Sequence, residues 1–374
     1  MKCKFLDHGL AIGYDSVVKP CCAWQVDPDW KVSNHLSQVT LAQWHQSQTI
    51  SDIKSQLDQD IWPTQCSTCE HDELENRGSI RGNGASAYAD YGPEDITLEI
   101  RPGNVCNFAC QTCWPEASTR VAQFHHQAGI IDIKSINSSP IRQFEFLKPI
   151  AHRIKDLVLL GGEPFYDKDC LKFLQWATHN LTARIIMFTN GSAVDWDWID
   201  SYPGKIVLVF SLDAVGRAAE YIRLGTDWAI VEQNFQKARN HPNVELRVNI
   251  TLSAYNLNYV QDVVDLLIPN WPSVVSFGIP HQLLFRENVI PVQYRANIIA
   301  GLESCVTAIK QAEIESGQKS HAVNALTSTI TNLQTQSWDH ACYKEFQKFV
   351  ADMDRVKRIR VGDYCADVAD MLAE

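Results

Sequence analysis

No stretch of this 374-residue chain strings together the roughly 18 or more apolar residues that crossing a bilayer takes. The start, Met1-Lys2-Cys3-Lys4-Phe5, lacks the apolar core of a secretion signal. A basic excess is missing as well: 33 Lys and Arg stand against 44 Asp and Glu, a net charge of −11. That balance argues against wrapping a nucleic-acid backbone. One short basic run, Arg355, Lys357, Arg358 and Arg360, reads as a solvated helix face or a contact with an acidic patch. Nor are the cysteines spread as an extracellular disulfide framework would spread them. The expectation is a soluble, reduced, cytoplasmic protein with no membrane partner. With 45% hydrophobic and 21% charged residues, it can bury a substantial core.

What the chain does have is twelve cysteines, several in close groups. Cys106, Cys110 and Cys113 stand in the run Cys106-Asn107-Phe108-Ala109-Cys110-Gln111-Thr112-Cys113. Three thiolates so close can converge on one soft metal centre, the usual duty of clustered cysteines in an iron–sulfur site. A four-iron cube held by three of them keeps one iron uncapped. Structural zinc normally fills four tetrahedral positions, and no fourth Cys or His follows closely, His125 being the nearest.

Strand-like Leu98-Glu99-Ile100 leads into the triad, and Leu157-Val158-Leu159-Leu160-Gly161-Gly162-Glu163-Pro164 follows. Thr189-Asn190-Gly191 and Ser211-Leu212-Asp213 come next, each closing an apolar run. Loop and motifs, in this order, resemble the radical S-adenosylmethionine superfamily. The aromatic residue many members place before the third cysteine is Thr112 here, with Trp114 just after it. The resemblance implies a 4Fe–4S cluster on Cys106, Cys110 and Cys113 whose open iron is chelated by S-adenosylmethionine. An external one-electron donor such as flavodoxin or ferredoxin would feed it. The cofactors perform the hard step, reductive cleavage to methionine and a 5′-deoxyadenosyl radical, while the protein supplies placement and shielding.

Further site residues follow from the same resemblance. Gly161 and Gly162 would let backbone approach the methionine moiety, and Glu163 would accept charge-assisted hydrogen bonds from its ammonium. Ser211 and Asp213 would reach the ribose hydroxyls or the methionine carboxylate region. Arg223, in Glu220-Tyr221-Ile222-Arg223-Leu224-Gly225-Thr226, resembles the arginine that pairs with that carboxylate, the plain alternative being a surface salt bridge. Asn190 is a candidate for adenosine contacts, or else a turn residue before Gly191. No general acid or base stands out.

Residues 1–92 carry Cys3, the pair Cys21-Cys22, and Cys66-Ser67-Thr68-Cys69. A C-x2-C pair with distant partners is metal-like in a cytosolic setting. This part resembles the SPASM/twitch module, which binds an auxiliary 4Fe–4S cluster, although that module usually follows the catalytic barrel. The module's opening signature sets a glycine five positions ahead of its second cysteine, and Ser16 takes that place before Cys21. A turn needing positive φ would prefer Gly. The resemblance implies Cys3, Cys21, Cys66 and Cys69 as ligands, with Cys22 the spare or substitute. A zinc knuckle on the same four thiolates remains the alternative.

Residues 93–285 alternate strand and helix. Strands are predicted at 97–101, 156–161, 184–189, 206–212, 244–252 and 274–279. Helices are predicted near 115–128, 143–152, 168–180, 194–200, 227–240 and 257–268, with Asp167 capping the third and Cys170, Leu171, Leu174 and Ala177 on one face. Continuous apolar strands such as Ile206-Val207-Leu208-Val209-Phe210 suit a parallel sheet covered on both sides. The expected fold class is α/β: a partial (βα)6 TIM-like barrel with a small Cys-rich N-terminal module and a helical C-terminal extension. Along 244–252, Glu245, Arg247, Asn249 and Thr251 face away from the apolar side. Asn249, and after it Arg247, would line the substrate or S-adenosylmethionine cavity, unless the strand is an edge with its polar side in solvent.

Residues 286–374 are expected to be helical, with an apolar rhythm through Phe346, Phe349, Val350 and Met353 that packs over the barrel or the N-terminal module. Cys170, Cys305, Cys342 and Cys365 are read as buried small hydrophobes. SPASM and twitch relatives often act on peptides, so the expected function is hydrogen abstraction from a peptide or protein side chain, for oxidation or cross-linking. A radical enzyme acting on a small metabolite, and a non-catalytic metal-binding scaffold, are the alternatives.

Overall fold

The computed structural model describes residues 1–74, 79–136, 141–280 and 282–373. Its strands are β1 (Gly9–Ile12), β2 (Val18–Lys19), β3 (Ile96–Ile100), β4 (Ala109–Cys110), β5 (Ile154–Leu159), β6 (Arg184–Thr189), β7 (Ile206–Ser211), β8 (Arg223–Leu224), β9 (Val244–Thr251) and β10 (Val274–Gly278). The fold is mixed α/β with a mostly parallel sheet of eight strands, and β4 with β8 forms a separate two-stranded ribbon. All six predicted strands are present, and each predicted helix has a counterpart. The second of these, Glu145–Arg153, is a 3-10 helix carrying Pro149, whose ring cannot join an α-helical ladder. Among the described residues, no helix is long and apolar enough to cross a membrane.

The chain divides into two compact units. The first comprises Met1–Asn104, Asn137–Met187 and Trp196–Ile206. Here β1 runs parallel to β3, β3 to β5 and β5 to β6, while β2 pairs antiparallel with β1. The N-terminal segment thus adds two strands to the sheet that the sequence pattern did not announce: they are short, and β1 is buried at every position. Helix Lys168–Asn180 begins as expected, with the Asp167 carboxylate accepting from Asp169 N at 2.8 Å. Its buried face is Cys170, Phe173, Leu174 and Ala177; Phe173 takes the place expected of Leu171.

The second unit comprises Val105–Ile136, Phe188–Asp195 and Val207–Glu374. Strand β9 lies between β7 and β10, so it is not a sheet edge. Its alternation is as expected, Leu246, Val248 and Ile250 buried and the residues between them half-buried. Helices Val292–Gln311, Ser316–Thr335, His340–Lys357 and Ala366–Leu372 fill the C-terminal portion. Helix His340–Lys357 buries Tyr343, Phe346, Val350 and Met353. Phe346 meets Tyr255 edge-on, and Phe349 stands edge-on to His125 and Phe285, a favoured aromatic geometry. Cys170, Cys305 and Cys365 are buried and Cys342 is half-buried.

Candidate metal centre and its surroundings

The triple-cysteine loop is anchored through its apolar residues. Phe108 and Ala109 are buried between the first two cysteines, which leaves Cys106, Cys110 and Cys113 half-buried. Ribbon β4–β8 then sets Cys110 opposite Arg223 and Ala109 opposite Leu224. Gly225, just past β8, adopts φ +111°; a Cβ there would stand 2.9 Å from the Asn107 carbonyl oxygen. Only glycine accepts both that conformation and that approach. Arg120 donates to the same carbonyl.

Around Cys106, Phe108 N donates to the sulfur at 3.3 Å, and Asn190 Nδ2 lies 3.9 Å from it. Asn190 is 5% exposed; it donates to Asn107 Oδ1 at 2.9 Å and accepts from Ser192 N at 2.9 Å. Asn107 in turn donates to Ser192 Oγ at 2.8 Å. Asn190 is therefore more than a turn residue: it braces the first cysteine. Asn107 and Ser192 were missed by sequence reasoning, because neither belongs to a spacing pattern.

Burial pushes the Cys110 thiol above its ordinary range, against the opposing pull of Arg223 and Lys357. Cys113 is raised for the same first reason, with Cys110 and Cys106 adding to it. Cys113 thus feels both of the other thiols, and a metal cation among the three would reverse the balance toward thiolate. Among the described residues, no three His, Cys, Asp or Glu side chains form a ready single-ion site.

Arg223, read from the sequence as a partner for the methionine carboxylate, meets a carboxylate of the protein itself. Its Nη1 donates to Asp213 Oδ2 at 2.8 Å, with the two side chains 15% and 4% exposed. Burial opposes its charge, but Cys110 and Asp213 outweigh that and hold it above the usual range. This is no surface salt bridge. Among the described residues, Arg223 Nε is buried without a partner. Asp213 has both carboxylate oxygens engaged, the second by Thr251 N at 2.8 Å, and its carbonyl accepts from Asn256 Nδ2 at 2.8 Å. Asn256, wholly buried, is a second residue the sequence did not reveal. Ser211 and Asn249 are half-buried near the ends of β7 and β9.

Lys357 is not part of a solvated face: its Nζ donates to Gln111 Oε1 at 2.8 Å and to the Ala109 carbonyl at 3.2 Å. Burial lowers its pKa to about 8, against the pull of Cys110 and Asp354. Arg355 and Arg360 do stay in solvent, with side chains 63% and 82% exposed. The helix ends at Lys357 and Arg358 turns left-handed at φ +56°, which separates the lysine from its basic neighbours.

Gly161, Gly162 and Glu163 belong to the first unit, directly after β5. Gly161 has φ +141°, and a Cβ there would come within 2.5 Å of the Gly103 carbonyl oxygen. The protein's own backbone thus already requires glycine at this position. Glu163 is 1% exposed, and its Oε1 accepts from Phe165 N at 3.5 Å.

The same unit holds a small cavity, about 20 Å3, lined by Cys3, Cys21, Cys66 and Cys69, with Trp24, Trp62 and Arg81 among the other walls. Cys22 does not line it. Burial pushes the Cys66 thiol up to about 12, with Cys3 and Cys69 adding to the effect. Among the described residues, Trp24 Nε1 is buried with no acceptor for its N–H. Ser16, at the position where Gly was expected, does adopt a left-handed conformation at φ +58°.

No protein-family model matches the chain. No curated protein matches it in sequence. Solved structures do. SuiB of Streptococcus suis bound to S-adenosylmethionine is similar at 14% identity and TM-score 0.37, over 71% of this chain and 58% of SuiB. The anSMEcpe protein with bound AdoMet matches at 17% identity and TM-score 0.40, over 57% of this chain and 60% of that one. HemN of Escherichia coli, described as a radical SAM enzyme, matches at 14% and 0.35, over 70% and 56%.

Proposed function

We propose that this chain is a radical S-adenosylmethionine enzyme that abstracts hydrogen from a substrate, with a peptide or protein side chain as the leading class. The observation that carries this is the cysteine loop beside Arg223: three half-buried thiols, with a buried guanidinium whose Nε has no partner among the described residues across the ribbon from Cys110. Those groups suit an iron–sulfur centre with an anionic ligand near it. Cys106, Cys110 and Cys113 would hold the cluster, which when bound supplies the single electron that cleaves the sulfonium.

The remaining roles belong to the protein. Arg223 offers its unpartnered N–H to the carboxylate of S-adenosylmethionine, while Asp213 holds the guanidinium in place rather than reaching a hydroxyl itself. Asn190 braces the loop at Cys106, and Ser211 and Asn249 offer polar groups to the adenosyl moiety or the substrate. In the first unit, Gly161, Gly162 and Glu163 keep the role their motif implies. Cys3, Cys21, Cys66 and Cys69 fit a fully ligated auxiliary 4Fe–4S cluster, because four thiols and an orphaned indole N–H line one largely apolar cavity. A flavodoxin or ferredoxin would deliver the electron.

The test is anaerobic reconstitution followed by dithionite and S-adenosylmethionine. Release of 5′-deoxyadenosine and methionine is expected, and Cys110→Ala abolishes it. Absence of both cleavage and cluster absorbance in the wild-type protein leaves the metal-binding scaffold standing instead. Transfer of deuterium from a labelled peptide into 5′-deoxyadenosine supports the peptide class, and transfer from a sugar, nucleotide or amino acid supports a metabolite.

A further inference from the structure

Lys357 belongs to no motif, yet it grips the residues on both sides of Cys110. Its two hydrogen bonds reach the Ala109 carbonyl and the Gln111 side chain across 248 and 246 positions of chain. An ammonium carries three N–H donors, so one remains uncommitted. The Phe124 ring lies 5.9 Å from Nζ, within reach of a cation–π contact.

The lysine is held rigidly from behind. Tyr221 OH donates to Asp354 Oδ1 at 2.8 Å and Val361 N donates to Asp354 Oδ2 at 2.7 Å, which pins the last turn of the helix. Gln111 is fixed too: its N–H donates to the Ile222 carbonyl at 2.8 Å and its Nε2 to the Tyr221 carbonyl at 3.2 Å. Stripping an ammonium of water is costly unless negative charge lies nearby. Gln111 and Ala109 supply only dipoles. Asp354 supplies one such charge, and thiolates at Cys110 and Cys113 would add to it.

We propose that Lys357 is a positioning residue for the iron–sulfur centre: it fixes the Ala109–Gln111 segment and holds a positive charge against the cluster. The proposal rests on the radical enzyme reading above and adds a regulator of its reduction. A nearby cation favours the more negative, reduced state of a cluster, and charge and hydrogen bonding are the protein's established levers on cluster potential. Lys357 therefore makes this centre easier to reduce.

The experiment is a redox titration followed by electron paramagnetic resonance on the anaerobic full-length protein, alongside Lys357→Met, Lys357→Gln and Lys357→Arg, each with iron and sulfide counted. Both neutral variants are expected to shift the reduction equilibrium at least tenfold toward the oxidised form, about 59 mV for one electron. Lys357→Arg should recover most of that. Unchanged potentials in the neutral variants overturn the proposal, as does a shift that Arg fails to restore, because the cause would then be packing. If Lys357→Met does not fold, Lys357→Gln, which retains a donor for the Gln111 oxygen, decides the matter alone. A wild-type protein that assembles no cluster at the triad refutes the enzyme reading itself, and this inference with it.

Discussion

Arg223 and Asp213 form a buried ion pair at 2.8 Å, and the same arginine stands across the ribbon from Cys110. Asp213 is tied further to the backbone of β9 through Thr251 N. One carboxylate thus couples the end of β7, the ribbon and β9. Removing it strands a buried charge, which typically costs about 3–5 kcal/mol. Asp213→Ala should lose about that much in urea unfolding. A loss below about 1 kcal/mol, the value of an exposed pair, would refute the assignment.

Gly225 is constrained twice over, by φ +111° and by the Asn107 carbonyl 2.9 Å from where a Cβ would sit. Gly225→Ala should destabilise the protein by about 1–3 kcal/mol and lower iron retention at the triad. Thermal unfolding with an iron count checks both, and wild-type values in both would show that the ribbon relaxes freely.

Ser16 pays for its left-handed backbone where a glycine would not, a penalty of roughly 1–2 kcal/mol for ordinary residues. Glycine's extra freedom in the unfolded chain offsets part of the gain. Ser16→Gly should therefore raise the urea midpoint by an amount worth up to about 1 kcal/mol, while Ser16→Val lowers it.

His125 lies under helix His340–Lys357, 9% exposed, and burial with help from Lys357 lowers its pKa from 6.5 to about 4. The unfolded chain binds a proton near 6.5 and the folded chain only near 4. Stability from this group is whole above that window and falls as pH drops through it. The loss reaches about 3 kcal/mol at the acid end. Unfolding series across the window should show a shallower slope for His125→Leu than for wild type. Equal slopes would mean the imidazole titrates freely.

The four cysteines around the N-terminal cavity should behave as one site. Cys69→Ala is expected to lower reconstituted iron by about four per chain and to leave the other cluster's four in place. Cys22→Ala should change nothing. Stoichiometric zinc in protein isolated without reconstitution would identify the knuckle instead.

Much of the strand–helix series was legible because its signals are local. Each strand of the βα series is a short apolar run, and Gly161, Asn190 and Ser211 sit at or just past strand ends, where spacing alone placed them. Strand β9 showed its two faces through period-two alternation. The Ser16 turn was also readable, since a missing glycine in a turn has one backbone meaning. What stayed hidden was any contact made by a side chain without a pattern. Lys357 sat in a basic run that reads as solvated, and Asn107, Ser192 and Asn256 are ordinary polar residues until their partners are known.

By itself, the order of residues settled which segments become strands and helices, and which thiols lie near one another along the chain, because hydrophobic period and short spacing act over a few residues. Only the folded arrangement decided that Arg223 meets Asp213 and faces Cys110, that β1 joins β3, and that Lys357 reaches Gln111. Those pairings depend on sheet order and helix packing over tens to hundreds of positions. No local periodicity records them, because the free energy that selects them is shared among all the surfaces buried together.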